Sequence, residues 1–279
     1  MKLSLIIPVF NEQECIADCL EHVSRQIRPF DEVIIVDNNS TDATRKIVDR
    51  FADLLPLTVL EEPRQGIVYA RDTGYGFASG DVLCKIDADT RIGRSWSRNV
   101  ERLLTSRPEV VGAHGYGIAY DLAPGPSGKS RAIRDSLRLP PGPSATIEGN
   151  NMAVRRAGWI DAQPHMIRSL DIHEDQDLYY ALRKSGQGEV WWTPKLLVGI
   201  SARRMRASMF SQIAYVAATV RTFRKHRQWK SMMNLIVWFP VVMINFRINW
   251  LIAMGFDPET GTHKWSRIIH GKSHQASPI

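Results

Sequence analysis

Residues 81–90 read DVLCKIDADT. The part DVLCKID (81–87) is a continuous apolar run closed by a carboxylate, the pattern of a parallel strand covered on both faces. The run ends in Asp87 and Asp89. In extended backbone, side chains at i and i+2 point the same way, so both carboxylates can face one site. Two ionised carboxylates that close repel unless a cation lies beside them. Oxygen ligands at a strand end suit Mg²⁺ or Mn²⁺, which bind through one or two carboxylates plus substrate phosphates. Asp-x-Asp is also a common loop pair, so its weight comes from what surrounds it.

Upstream, strand-like runs alternate with helical ones. LSLIIPV (3–9), DEVIIVD (31–37) and LTVLEE (57–62) read as strands. After the first, Asn11 can cap a helix with Glu12 and Glu14 in its first turn. After the second, Ser40 or Thr41 can cap a helix carrying Ile47, Val48 and Phe51. After the third comes a helix with Val68, Ala70 and Phe77, stopped at Gly80. Strands separated by helices imply an α/β chain with a Rossmann-like, mostly parallel sheet and flanking helices. No G-x-G-x-x-G follows the first strand, which argues against a dinucleotide oxidoreductase.

Downstream the pattern changes. VVGAHGYGIAY (110–120) reads as a strand, and residues 121–144, rich in Pro, Gly and Ser, as a long loop of the kind that often forms a lid. EGNNMAVRRAGW (148–159) is a strand turning into a helix. HEDQDLYYALRKSG (173–186) is a helix stopped by Gly186, and EVWWTPKLLVGIS (189–201) supplies one or two strands. Met205, Met209, Ile213, Val216, Val220 and Phe223 then form an apolar stripe at helical spacing.

The chain has 279 residues, 44% hydrophobic and 23% charged, an ordinary globular composition for one large domain or a domain with an appendage. The net charge of +7 is uneven: residues 201–279 hold 12 Lys and Arg against two acids, Asp257 and Glu259. A basic C-terminal segment suits an anionic membrane surface; no aromatic-rich RNA motif or zinc-finger spacing supports nucleic acid. The N-terminus lacks the basic start and long apolar core of a secretory signal. Cys15, Cys19 and Cys84 have no metal-ligand spacing, Cys15 and Cys19 fit one buried helix face, and the expected compartment is the reducing cytoplasm.

In a parallel sheet, ligands bind at the carboxyl ends of the strands. Asn11 and Glu12, Asp37 to Ser40, and Asp87 with Asp89 fall there. With these residues placed, the chain resembles glycosyltransferase family 2 of the GT-A fold. The resemblance rests on SLIIPVFNE (4–12), EVIIVDNNSTDAT (32–44), GIVYARDTGYGFASGD (66–81), KIDADT (85–90), GNNMAVRR (149–156) and HEDQDL (173–178), in the family's order, over roughly residues 3–200. It implies a nucleotide-sugar donor carrying UDP, GDP or dTDP and a divalent cation, Mg²⁺ or Mn²⁺. Pro8, Phe10, Asn11 and Glu12 would shape the nucleotide pocket, Asp37 would bond the base, and Arg71 would sit near the nucleotide or phosphates. Asp87 would contact ribose or metal, and Asp89 would be the main metal ligand. Asp175 would be the general base, with Glu174 the fallback, and Asn150 and Asn151 would hold acceptor or donor sugar. Asp177 reads as a helix-dipole partner. One base and no nearby nucleophile imply inversion at the anomeric carbon.

Two departures bear on this. Many relatives carry a second Asp where Asn38 stands, which leaves the nucleotide open. Processive relatives carry Q-x-x-R-W after the Glu-Asp helix, whereas SARRMRA (201–207) stands here, so one sugar per reaction is expected; Arg203 and Arg204 could return towards the diphosphate.

The expected division is a GT-A domain over 1–200, with a nucleotide half at 1–90 and an acceptor half at 91–200, and a helical appendage over 201–279. Within the appendage, residues 235–256 approach the ~20 residues of a membrane span. Pro240, Asn245, Arg247 and Asn249 interrupt them, and a central Arg costs ~2.5–3.5 kcal/mol on insertion scales. The expectation is a helical hairpin lying on the inner membrane surface with RTFRKHRQWK (221–230) at the headgroups, serving a sugar or lipid-linked acceptor. The alternative is a helix packed on the catalytic domain or in a dimer. Two rival functions are a sugar-phosphate nucleotidyltransferase, which should show a G-x-G-x-R loop where PVFNEQE stands, and a non-catalytic membrane-binding module on a degenerate transferase fold.

Overall fold

A computed structural model describes residues 1–121, 139–257 and 262–263. The expected strands form: β1 (Leu3–Val9), β2 (Glu32–Asp37), β3 (Leu57–Glu61) and β4 (Val82–Ile86) pair in parallel in the order β3-β2-β1-β4. Helices α1 (Ile16–Ser24), α2 (Thr44–Val48) and α3 (Ile67–Phe77) make the crossovers. The apolar residues of β1, β2 and β4 are buried on one face or the other, and those of the edge strand β3 are half-buried. Leu5 and Ile7 of β1 pack with Cys19 and Leu20 of α1, and with Val100 of α4 (Trp96–Ser106). Ile6 of β1 and Ile34 of β2 pack on the opposite face with Ala70 and Tyr75 of α3. Burying one such side chain stabilises by ~1.5–3 kcal/mol, which is why these runs need no alternation.

The second half departs from a purely parallel plan. The run 110–120 divides into β6 (Val110–His114) and β7 (Gly117–Ala119). β9 (Asn151–Arg155) inserts antiparallel between β4 and β6, with Ile86 opposite Asn151. A strand running backwards delivers its start, not its end, to the edge where its neighbours finish. This is how Glu148–Asn151 come to lie beside Asp87. β10 (Glu189–Trp192) and β8 (Gly142–Pro143) complete the sheet of eight strands. β5 (Arg91–Ile92), β11 (Val198–Ile200) and β7 form a small second sheet. The lid reading for 121–144 falls mostly on residues 122–138, outside the described residues.

Helices α5 (Arg156–Ala162) and α6 (Glu174–Ser185) cover the Ile6 face, and α6 stops where Gly186 takes a left-handed φ of 70°. Then come α7 (Met209–Lys225) and α8 (Trp229–Gly255). The apolar stripe at helical spacing divides along α7: Met209 is 49% and Ile213 41% exposed, while Val216 is buried. The inward face carries Gln212, Thr219 and Thr222, because α7 packs on the polar start of α6 rather than on a core.

Candidate active site

The loops after β1 and β2 are joined by hydrogen bonds. Asn11 takes a left-handed φ of 53° and accepts the Thr41 N–H at 2.8 Å, and the Glu12 N–H donates to Thr44 Oγ1 at 2.7 Å. Asn11 therefore ties two loops; α1 starts later, at Ile16, and Asp42, not Ser40 or Thr41, accepts the N–H of Thr44 that opens α2. Asp37 accepts the Ser40 N–H at 2.9 Å. Pro8 is buried within β1 opposite Val36, and Phe10 is half-buried just past its end. Asn38 is buried; its amide donates to the carbonyls of Glu62 and Arg64 and accepts the Gly66 N–H at 2.7 Å. A carboxylate could not donate those bonds, so Asn38 holds the loop before α3.

Lys85 lies on the face of β4 that also carries Asp87, and it is fully buried. Its Nζ donates to Asp87 Oδ1 at 3.0 Å and to the Gly149 carbonyl at 2.6 Å, and lies 3.2 Å from Glu174 Oε1. Burial alone would raise Asp87, but Lys85 more than offsets this and holds its carboxyl below the ordinary range. A lysine in a doubly covered strand must be paired, and that was the sequence signal for this missed residue.

Arg71 is placed differently from the expectation. It is fully buried; its Nη1 binds Glu174 Oε2 at 2.6 Å and the Glu174 carbonyl at 2.7 Å, and its other nitrogens bind Asp72. Those partners enclose it, so it anchors α6 to α3 instead of meeting a phosphate. The same contacts correct the fallback role of Glu174: its carboxylate is shared between Arg71 and Lys85 and is occupied as a brace. Asp177 is also a brace, accepting the N–H groups of Ile167 and Arg168 and pairing with buried His226 at 2.8 Å.

Asp175 faces elsewhere. Its Oδ2 accepts the Gly149 N–H at 3.0 Å, and burial together with neighbouring Glu174 raises its pKa. A Cβ on Gly149 would stand 3.2 Å from that carboxylate, so a side chain there pushes Asp175 away. Asp175 opens on a cavity of about 380 Å³ whose walls include Glu148, Gln176, Tyr180, Tyr215 and Thr219. Burial pushes the Glu148 carboxyl up to about 7, with Asp175 adding to the push and Arg204 opposing it, although part of the residue reaches solvent.

Asn150 and Asn151 separate. Asn151 is fully buried, accepts the Trp96 indole N–H at 2.8 Å and donates to the Leu196 carbonyl, so it is structural and not a sugar ligand. Asn150 is half-buried beside Asp87, and its Oδ1 is buried without a partner.

Asp89 is 14% exposed and pairs with Arg203 at 3.0 Å; Arg203 also grips Glu12 at 2.7 and 3.1 Å. The turn after β11 thus returns to the ends of β1 and β4. Among the described residues, no three His, Cys, Asp or Glu side chains converge as a metal cage. Two carboxylates are enough for a cation that takes its other ligands from substrate phosphate and water. The Asp89 carboxyl is pushed up by burial and by Asp87 even with Arg203 in contact, so the pair would still gain from positive charge.

A mostly parallel sheet with flanking helices and this acidic carboxyl edge defines a GT-A type α/β protein. The chain belongs to glycosyl transferase family 2, whose profile matches residues 4–162. Glycosyltransferase AglE of Haloferax volcanii is 36% identical over 118 residues, 40% of this chain and 38% of that protein. The chain thus spans well under half the length of this curated relative. Among solved structures, the mannosyltransferase PcManGT of Pyrobaculum calidifontis, in complex with GDP-Man and Mn²⁺, has a TM-score of 0.65 at 19% identity, covering 96% of this chain and 78% of that one. TarS 1–349 of Staphylococcus aureus, in complex with UDP-GlcNAc, has a TM-score of 0.64 at 17% identity, covering 91% and 80%.

Proposed function

We propose that the chain transfers one sugar from a nucleotide-diphosphate donor to an acceptor hydroxyl, with inversion, at a membrane surface. The observation that carries this reading is the Lys85 bridge. It fixes Asp87, at the donor end of β4, against Glu174 and Gly149, which set Asp175. Donor and base sides are thereby held in one rigid unit.

The nucleotide lies over the joined loops at Asn11, Glu12 and Asp37. Asp89 and Asp87 would hold Mg²⁺ or Mn²⁺, which when bound offsets charge growing on the diphosphate. Arg203 can turn from Glu12 and Asp89 to the same phosphates, with Arg204 alongside. The partnerless Asn150 Oδ1 would accept from a donor-sugar hydroxyl. The acceptor oxygen forms its bond to the anomeric carbon as the carbon–phosphate oxygen bond breaks. The hydroxyl proton passes to Asp175, and the bonding pair leaves with the diphosphate. General-base help of this kind contributes typically ~10²–10⁴-fold. A raised Asp175 pKa places the acid limb of kcat/KM above the ordinary carboxylate range, with activity rising as pH rises through it.

Calorimetric titration of UDP-, GDP- and dTDP-sugars with Mn²⁺ or EDTA, on the natural chain and Asp89→Ala, tests the donor site. Metal-dependent binding of one donor, lost in the variant, is expected. No binding of any donor overturns the reading in favour of a non-catalytic module. Asp175→Asn should bind that donor normally and lose turnover.

A further inference from the structure

The cavity beside Asp175 is built jointly by the sheet domain and the C-terminal helices. Glu148 and Asp175 form one wall; Tyr215, Thr219 and Phe223 of α7 form another, and Ser231, in the first turn of α8, closes it. A lining that combines aromatic rings with hydroxyl and carboxylate groups suits a ring with apolar C–H faces and a rim of hydroxyls. At about 380 Å³ the cavity has room for such a head group and little more.

What continues from that wall is apolar and unpartnered. Val237, Val241, Ile244 and Ile248 recur at helical spacing along α8 and are 69%, 52%, 61% and 51% exposed. The most apolar window of α8, with a mean hydropathy of 1.7, has no buried residue. On α7, Phe210 is 85% exposed. On α7 the large apolar Met209, Phe210 and Ile213 face outward while Gln212 and Thr222 are covered, and α8 leaves a row of large apolar side chains exposed, unlike a helix finishing a soluble domain. Across their junction runs RTFRKHRQWK (221–230), with Arg224, Arg227 and Lys230 exposed, a match for anionic headgroups at the polar end of the apolar face. Arg247 lies beside the stripe with its guanidinium over Trp250 at 4.1 Å, as a side chain reaching back to an interface would. The occupant that fits a long apolar face rimmed by cations is a lipid bilayer.

We propose that the cavity is the acceptor site and that its acceptor is the hydroxyl-bearing head of a lipid, whose tail stays in the bilayer along α8. This rests on the glycosyltransferase reading and names its acceptor class. The continuity of residues 215–231 with α8 carries it: one segment forms the cavity wall and the root of the apolar helix, so a head group in the cavity has its tail beside α8.

The test uses the full chain on vesicles of phosphatidylglycerol and phosphatidylcholine. The probes are a panel of dodecyl glycosides (gluco, galacto and N-acetylglucosamine) with a diazirine on the sugar or at the tail end, and methyl glycosides with the sugar diazirine. Cross-links are mapped by mass spectrometry. At least one dodecyl probe should label residues 145–148 and 215–223 from its sugar end at tenfold or more lower concentration than its methyl partner. The tail end should label 237–252. Ser231→Trp, which fills the cavity, should cut sugar-end labelling at least tenfold while vesicle flotation stays unchanged. Labelling of α8 alone by every sugar end overturns the cavity as the head-group site. Equal labelling by methyl and dodecyl probes overturns the lipid and favours a soluble acceptor. Both comparisons are made on the natural chain, so they hold even where the variant misfolds. Donor titration on the same samples separates the two readings: a bound donor without cavity labelling overturns only this inference, and no bound donor overturns the function beneath it.

Discussion

β2 and α8 are both apolar runs, and they meet opposite surroundings. In β2, Val33, Ile34, Ile35 and Val36 are all fully buried between two helix layers. In α8, Ile236, Val237, Trp238, Val241 and Ile244 are all about half or more exposed. Between the two lies α7, whose covered face is polar because it braces α6: the Thr222 hydroxyl accepts the His173 N–H, and His173 in turn meets Thr219. An apolar run reports that a low-dielectric neighbour exists. Which neighbour it is depends on what the rest of the chain has already covered.

Ile35→Asp tests the strand side. A carboxylate with no partner in that layer should cost more than ~4 kcal/mol and leave little folded protein by circular dichroism. Arg71→Ala comes next. It leaves Glu174 to Lys85 and Asp72 to Arg168 alone and removes the fully buried guanidinium that ties α3 to α6, and the melting curve should report a loss of ~3 kcal/mol. Thr222→Val, isosteric and apolar, would stabilise a helix packed on a core. Here it strands the His173 N–H and should cost ~1–3 kcal/mol in urea denaturation. A gain would show that the inward face of α7 is not the polar one.

Smaller still is a pH effect at the edge of the sheet. Arg64, opposed by burial and helped by Thr73, holds Glu62 down to about 2 from its ordinary 4.5. A depressed folded pKa gives stability present above the unfolded value and lost as pH falls through the folded one. Stability should therefore fall between about pH 4.5 and 2, by ~1 kcal/mol since Arg64 faces solvent, and Glu62→Gln should flatten that slope. The least effect on stability belongs to α8. Ile244→Asp should stay within ~0.5 kcal/mol of the natural chain. The same change should lower flotation with anionic vesicles; a large stability loss instead would mean that protein covers this face.

The fold was readable where a local pattern is sufficient. Four covered strands with helices between them declare a parallel sheet, and the ordered motifs placed Asp87, Asp89 and Asp175 at its edge. The insertion of β9 against the grain was not readable, because a strand's direction in a sheet leaves no mark in its own residues. Arg71, Glu174 and Asn151 were misassigned for a related reason. Each is polar and lies within a motif, but a partner that fixes it is remote: Arg71 meets Glu174 103 positions away, and Asn151 meets Trp96 across 55. Lys85 and Gly149 were overlooked although they set both carboxylates. The direction of the α7 stripe depended on a polar neighbour that its spacing does not encode.

The grip of Arg203 on Glu12 spans 191 residues. During synthesis β1 to β4 can pair as soon as they emerge, since their contacts are comparatively local. The acidic edge they form must then wait for β9 to close the sheet, for α6 to bring Asp175, and finally for residue 203. A nascent chain can thus hold β1 to β4 paired while Glu12 and Asp89 still lack the guanidinium they share. The carboxylates at the head of the chain are the first part of the edge to be made and the last to be neutralised.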